Sequence, residues 1–404
     1  MYFPRHIEAS VIAASQQFPA VLLTGPRQVG KTTLLRKISE PSRTYVTLDD
    51  PLLRSLATSD PALFLQQFRP PLLIDEVQYA PELFPFIKMA ADREARPGLF
   101  WLTGSQQFQM MKNVTETLAG RVGILNLLGL SSREEYHIPN KPFLPATTSD
   151  DALPPNIDLS LHAVYARILR GSYPALVSGA ITDRDLFYRS YLQTYIERDV
   201  RALAQVGDAN AFLRFIRAAA ARTGQLLNMA DLARDTGVSL NTAKNWLSVL
   251  RASLLVTLLE PYHTNLTKRI VKTPKLYFLD TGLCAFLTGW SDVTTLANGA
   301  IAGAILETFV VSEVIKTWEY AGRQPTLYFY RDQDQHEIDL LISANGRLHP
   351  VEVKRSAAPD AAWLAPARKL AALGITIGEG AIACFTQQRI ALARDTVAIP
   401  AGMI

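Results

Sequence analysis

Eight consecutive residues near the start of the chain have the types and spacing to hold a triphosphate. Gly25-Pro26-Arg27-Gln28-Val29-Gly30-Lys31-Thr32 spells G-x-x-x-x-G-K-T, with Thr33 and a helical stretch to residue 39 behind it. Glycines let backbone N–H groups turn inward around a phosphate, and the N-terminus of the following helix adds partial positive charge. Lys31 reaches the β- and γ-oxygens, and the Thr32 hydroxyl ligates Mg²⁺. A chance match in a glycine-containing loop is the bland alternative. It does not explain the apolar run 21–24 that enters the loop or the helical pattern that leaves it.

A second group completes this chemistry. Leu72-Leu73-Ile74-Asp75-Glu76 is an apolar run ending in two acids, the Walker B arrangement. Asp75 would hold Mg²⁺, usually through water, and Glu76 would polarise the attacking water. A double carboxylate here points to hydrolysis rather than passive binding, and to water rather than a metabolite as acceptor. The next apolar run, 99–103, ends in Gly104-Ser105-Gln106. Ser105 is the candidate sensor of the γ-phosphate, with Thr103 as the alternative and a plain turn as the bland reading. Arg121, in Leu118-Ala119-Gly120-Arg121, is either an arginine finger acting on a neighbouring subunit of a homo-oligomer or a structural ion pair.

Near the other end, Glu307 sits in a helical stretch 304–316. Asp339 opens the apolar run 340–342, and Glu352-Val353-Lys354 closes the strand-like run 349–353 after a turn at Asn345-Gly346. Residues i and i+2 of a strand share a face, so Glu352 and Lys354 point together. A hairpin through Asn345-Gly346 brings Asp339 near Glu352. This order, Asp-x₁₂-Glu-x-Lys with a helix acid upstream, resembles the PD-(D/E)xK nuclease superfamily. That resemblance implies a restriction-endonuclease-like fold in which Glu307, Asp339 and Glu352 bind a second Mg²⁺ or Mn²⁺, and Lys354 activates water or stabilises the transition state. Ile338 stands where the strict pattern has proline. A surface hairpin with a Glu352–Lys354 ion pair is the bland alternative.

These residues need elements to position them. Short apolar runs at 20–24, 45–48, 72–75, 99–103 and 124–128 alternate with helix-length segments, which implies an α/β fold with helices packed on a parallel sheet. Prolines, Thr147, Thr148 and Ser149 interrupt every pattern over 139–155. The expected organisation is a P-loop domain over 1–138, a linker or insertion over 139–158, a helical segment over 159–298 and the nuclease-like domain over 299–404.

Within the middle segment, 228–236 and 239–250 read as a helix-turn-helix around Gly237, and 254–258 with 275–279 as the hairpin of a winged helix. On DNA the second helix would offer Asn241, Thr242, Lys244 and Asn245 to base edges, with Lys268, Arg269, Lys272 and Lys275 as a basic cluster between the hairpin strands. A module for protein contacts, or a lid over the nucleotide, is the other reading.

Bulk composition narrows the class. At 404 residues the chain exceeds one ordinary core, and 41 Lys and Arg against 37 Asp and Glu permits a nucleic-acid partner without requiring one. Cys284 and Cys384 lie far apart without metal-ligand spacing, so a zinc site and a disulfide framework are excluded and a reducing compartment is expected. No signal-peptide core and no eighteen-residue apolar run occur, so neither export nor a membrane span is expected, and cytoplasm is the default.

Leu23-Thr24-Gly25 through Thr33, Leu73-Ile74-Asp75-Glu76, Thr103-Gly104-Ser105 and Leu118-Ala119-Gly120-Arg121 together resemble a family of prokaryotic AAA-type ATPases, for which the Pro-Arg-Gln insert in the loop is characteristic. Gly171-Ser172-Tyr173-Pro174, residues 191–201 and Lys275-Leu276-Tyr277-Phe278-Leu279-Asp280-Thr281-Gly282-Leu283 extend the resemblance. It implies five parallel strands with the Walker B and sensor strands beside the P-loop strand. The expected function is a Mg²⁺-dependent ATPase coupled to a nuclease-like domain acting on DNA or other nucleic acid. The rival is an ATP-controlled switch that binds DNA or a protein through the winged helix, with a C-terminal domain that does not cleave.

Overall fold

The computed structural model describes residues 2–105, 114, 116–147, 157–196, 208–263, 273–332 and 334–404. Five parallel strands, β1 (Ala20–Gly25), β2 (Thr44–Thr47), β3 (Leu72–Asp75), β4 (Phe100–Ser105) and β5 (Val122–Asn126), form one sheet in the order β2-β3-β4-β1-β5. Every residue of β1 is buried, as a central parallel strand covered on both faces requires. Its side chains alternate: Val21 and Leu23 join one core, Ala20 and Leu22 another. The order corrects one expectation. The sensor strand β4 does pair with β1, but the Walker B strand β3 lies beyond β4. Asp75 still reaches the loop, because parallel strands end at the same edge of the sheet.

A second sheet has nine strands: β6 (Gln225–Leu226), β7 (Val256–Pro261), β8 (Lys275–Phe278), β9 (Thr326–Arg331), β10 (Glu337–Ala344), β11 (Arg347–Val353), β12 (Gly380–Cys384), β13 (Ile390–Ala393) and β14 (Thr396–Pro400). Their order is β13-β14-β12-β11-β10-β9-β7-β8-β6. The antiparallel set β6, β8, β7 joins the rest through a short parallel pairing, Glu260 opposite Tyr328 and Pro261 opposite Phe329. The last three strands are β12, β13 and β14, of which β13 is short and mostly exposed.

Between the sheets runs the helix Ala302–Glu319, twelve of whose residues are buried. A helix that is apolar nearly all round belongs inside a protein. One contiguous core therefore joins Val21 of the first sheet, Leu127 just beyond β5, Val310 and Val314 of this helix, and Val351 of the second sheet. Described residues of the proline-rich stretch dock on it too, Asn140 Nδ2 donating to Thr317 O at 3.0 Å and Trp318 Nε1 to Phe143 O at 3.0 Å.

The two middle helices form where capping chemistry places them. Asn228 caps Met229–Thr236, Gly237 ends it at φ 69°, and Ser239 caps Leu240–Ala252. Trp246 anchors the second helix against Phe212 and Phe215, ring centroids 5.3 and 5.4 Å away. No helix among the described residues is long and apolar enough to cross a membrane.

Candidate functional site

The loop between β1 and the helix Lys31–Ile38 has the backbone a phosphate cradle needs. Gly25 adopts φ 151° against the next strand's exit, where a Cβ would meet Leu127 O at 2.0 Å, so only glycine fits. Gln28 and Gly30 have φ 62° and 93°. Gly30 gives the helix no side-chain cap, which leaves the first-turn N–H groups for a ligand. Lys31, only 7% exposed, donates from Nζ to Gly25 O at 2.9 Å and Pro26 O at 2.7 Å, inside the ring of the loop.

Four side chains meet at the carboxyl edge of the sheet. Thr32 Oγ1 donates to Asp75 at 2.8 and 3.0 Å, Tyr45 Oη donates to the same carboxylate at 3.1 Å, and Thr103 Oγ1 donates to it as well. Thr103 also accepts the N–H of Glu76 at 3.3 Å. Glu76 holds a left-handed backbone, φ 58°, the kind of local strain that clusters at functional sites. Its carboxylate accepts from Gln78 Nε2. Ser105 ends β4, and its side chain lies outside the described residues; the side chain that meets Asp75 is Thr103, the alternative sensor.

Arg121 stands elsewhere. It precedes β5, at the edge of the sheet opposite the loop, and grips Asp92 at 2.5 and 3.2 Å. That pair holds the Asp92 carboxyl below its usual range. Within one chain Arg121 is therefore an ion pair, and any part it plays at a nucleotide is played on another subunit.

Beside the loop lies a cavity of about 250 Å³ lined by Tyr2, Phe3, Val29, Gly30, Thr33 and Pro174. Two aromatic rings, a proline and a glycine are among its lining residues. Sequence reasoning missed it, since four segments distant in the chain build it. Arg5 pins one wall: fully buried, it donates to Val29 O at 2.9 Å, Leu128 O at 3.0 Å and the Tyr320 hydroxyl at 3.0 Å, and pairs with Glu134 at 3.0 Å.

The C-terminal residues also come together, with additions. The Asn345-Gly346 turn has φ 51° and 71°, as a two-residue hairpin requires, and sets Asp339 beside Glu352. Val353 N donates to Asp339 Oδ2 at 2.9 Å, Asp339 N to Glu352 Oε2 at 3.4 Å, and Lys354 Nζ to Glu352 Oε1 at 2.5 Å. Glu307 lies across from them, accepting from Tyr277 Oη at 2.5 Å and Lys275 Nζ at 2.9 Å. Burial first, then the neighbouring Asp339 charge, pushes Glu307 up to about 7 and Glu352 up to about 8. Burial likewise raises Asp339. The Lys354 ammonium loses by burial but gains more from Glu352, so its pKa rises.

Lys275 is a correction. It is 3% exposed and ion-paired with acids, so it has no place in a DNA-facing basic cluster. Lys268, Arg269 and Lys272 lie outside the described residues. A lysine opening the otherwise apolar strand Lys275–Phe278, two residues before Tyr277 and hence on the same face, was the available signal. Asn241, Lys244 and Asn245 are exposed on the second middle helix, and Thr242 is half-buried.

Residues 17–136 match an AAA domain. That region, with its five-stranded parallel sheet, is an AAA-type P-loop ATPase domain. Residues 161–294 and 302–404 match two domains of unknown function, DUF8612 and DUF4143. Uncharacterized protein Rv2008c of Mycobacterium tuberculosis and uncharacterized protein Mb2031c of Mycobacterium bovis are each 31% identical over 403 residues, covering 99% of this chain and 84% of theirs. A Walker-type ATPase of Pyrococcus abyssi superposes with TM-score 0.43 at 17% identity, over 71% of this chain and 96% of its own.

Proposed function

This chain belongs to one family with the two mycobacterial proteins, and from that premise we propose that it is a Mg²⁺-dependent ATP hydrolase. The observation that carries the reading is the meeting of Thr32, Asp75 and Thr103 at the mouth of a loop whose own lysine points inward. The site fits both ligands: the glycine cradle, Lys31 and the free helix N-terminus suit phosphate, and Thr32 with Asp75 offers oxygen donors to Mg²⁺. Bound there, Mg²⁺ would neutralise charge on the β- and γ-oxygens. Lys31 holds the same oxygens, Thr103 fixes the orientation of Asp75, and Glu76 orients water and accepts its proton. The base would lie in the cavity beside Phe3 and Pro174.

The rest of the molecule is assigned by the same reasoning. Residues 159–298 would carry a winged helix, supported by the order helix, β6, helix, turn, helix, β7, β8 and by the exposed Asn241, Lys244 and Asn245. Residues 299–404 would carry a nuclease-like domain, supported by the long helix, the β9-β10-β11 meander and the convergence of Glu307, Asp339, Glu352 and Lys354. Nucleic acid, DNA first, is the partner this arrangement fits. Between cleavage and an ATP-controlled switch that does not cleave, the ammonium of Lys275 among the acids favours the switch.

Phosphate release from ATP by the full chain with Mg²⁺ tests the main reading. Lys31→Ala should abolish turnover. Glu76→Gln should keep nucleotide affinity within a few-fold while lowering kcat about 100-fold or more. Absence of binding heat with either ATP or GTP would overturn the proposal. Incubation with single- and double-stranded DNA and Mn²⁺ separates cleavage from the switch.

A further inference from the structure

The acids of the second sheet are occupied by a cation that the chain itself supplies. Lys275 Nζ lies 2.9 Å from Glu307 Oε1, 2.5 Å from Glu337 Oε1 and 4.0 Å from Asp339 Oδ1. It also sits 5.5 Å from the centroid of the Phe329 ring. It arrives from β8, which belongs to the middle hairpin and not to the strands carrying the acids. Lys354 on Glu352 and Arg331 on Glu337 complete the set, so four carboxylates face three cations.

A divalent metal bound by Glu307, Asp339 and Glu352 needs their oxygens gathered at about 2.0–2.6 Å around one point. Among the described residues, the side chains whose ligand atoms gather within 4.8 Å are Asp332, Asp334 and His336. Those stand on an exposed turn already met by Lys369 at 3.2 Å. Glu307, Asp339 and Glu352 do not gather in that way, and the place between Glu307 and Asp339 is taken. The residues present therefore do not fit a metal centre in this arrangement.

We infer that Lys275 is a built-in counter-cation that keeps the Glu307–Asp339–Glu352 cluster closed to divalent metal, so that metal enters only when this ammonium leaves. The inference rests on the nuclease-like reading of residues 299–404, and it specifies how that site is controlled. Burial costs this ammonium hydration, which its carboxylates offset when a metal is absent, and the ammonium repels a second cation when one approaches. Release of the middle hairpin from the acids would open the site.

The test is Mn²⁺ titration of the full chain followed by the electron paramagnetic resonance of free Mn²⁺, in an Asp75→Asn background that silences the first site. The parent should bind no Mn²⁺ at millimolar concentration. Lys275→Met should bind one ion, tightened at least about tenfold, and adding Glu307→Gln should remove it. Because Lys275→Met leaves acids without their cation, the paired variant Lys275→Met with Glu337→Gln, which removes one charge of each sign, is titrated beside it. If the parent binds Mn²⁺ in a Glu352-dependent way, Lys275 is no barrier: the inference fails and the nuclease-like reading survives. If folded variants bind none either, both fail.

Discussion

At the P-loop, Asp75 is met by the hydroxyls of Thr32, Thr103 and Tyr45, and among the described residues no lysine or arginine pairs with it. At the second cluster, Glu307 of the long helix and Glu337 and Glu352 of the second sheet are met by the ammonium groups of Lys275 and Lys354. Hydroxyl donors orient a carboxylate but leave its charge, which stays available to an incoming cation. Ammonium groups orient it and cancel the charge as well. Placement of the lysines follows the same division: Lys31, next to Thr32, is turned onto loop carbonyls instead of Asp75. One site is arranged to receive a cation from solution, and the other contains its own.

The largest effect should come from exchanging charge for a neutral isostere at the two places. Asp75→Asn removes the charge that the hydroxyls of Thr32, Thr103 and Tyr45 orient, and should lower Mg²⁺–ATP hydrolysis at least about 100-fold. Asp339→Asn changes an acid of the second cluster, beside Lys275 and away from the loop, and phosphate release should stay within about twofold of the parent. Equal losses in the two variants would mean that the sites act as one and that the contrast is wrong.

Stability should separate them in the other direction. Lys275→Met strands several buried acids and should cost about 3–5 kcal/mol in urea unfolding near neutral pH. Thr103→Val removes a neutral donor from Asp75 and should cost about 1–3 kcal/mol. If the lysine proved the cheaper loss, its ammonium would not be the cation that balances the cluster.

How far the sequence reveals each site follows from how local its parts are. The loop is eight consecutive residues, and Asp75-Glu76 ends a strand, so both could be read from adjacent letters. Asp339 and Glu352 were readable because a two-residue turn fixes hairpin register, placing Leu340 opposite Val351. Lys275 was misplaced because Glu337 and Asp339 lie across a junction of only two paired positions, Glu260–Tyr328 and Pro261–Phe329, and Glu307 lies on the long helix. So brief a pairing has no periodicity to detect. The strand order of the first sheet and the cavity shared by Phe3, Val29 and Pro174 were hidden for the same reason: each depends on contacts between segments far apart in the chain.

Another acid sharpens the comparison, because among the described residues neither a hydroxyl nor a lysine hydrogen-bonds it. Glu319, at the end of the long helix, borders a cavity of about 430 Å³ between β5, β7 and that helix, and its one hydrogen-bond partner among the described residues is Asn126 Nδ2 at 3.2 Å. Burial pushes its carboxyl from 4.5 up to about 7, with Asn126 opposing the rise only in part. Since the folded-state value lies above the unfolded one, the folded chain keeps this proton where the unfolded chain has released it. The cost of Glu319 is therefore absent below pH 4.5, grows as the pH rises toward 7, and is complete above it. Glu319→Gln should be more stable than the parent by about 1–3 kcal/mol at alkaline pH. That advantage should fade on acidification, as urea midpoints would read. An advantage unchanged by pH would come from packing and not from charge, and Glu319 would not be the uncompensated acid that completes the series.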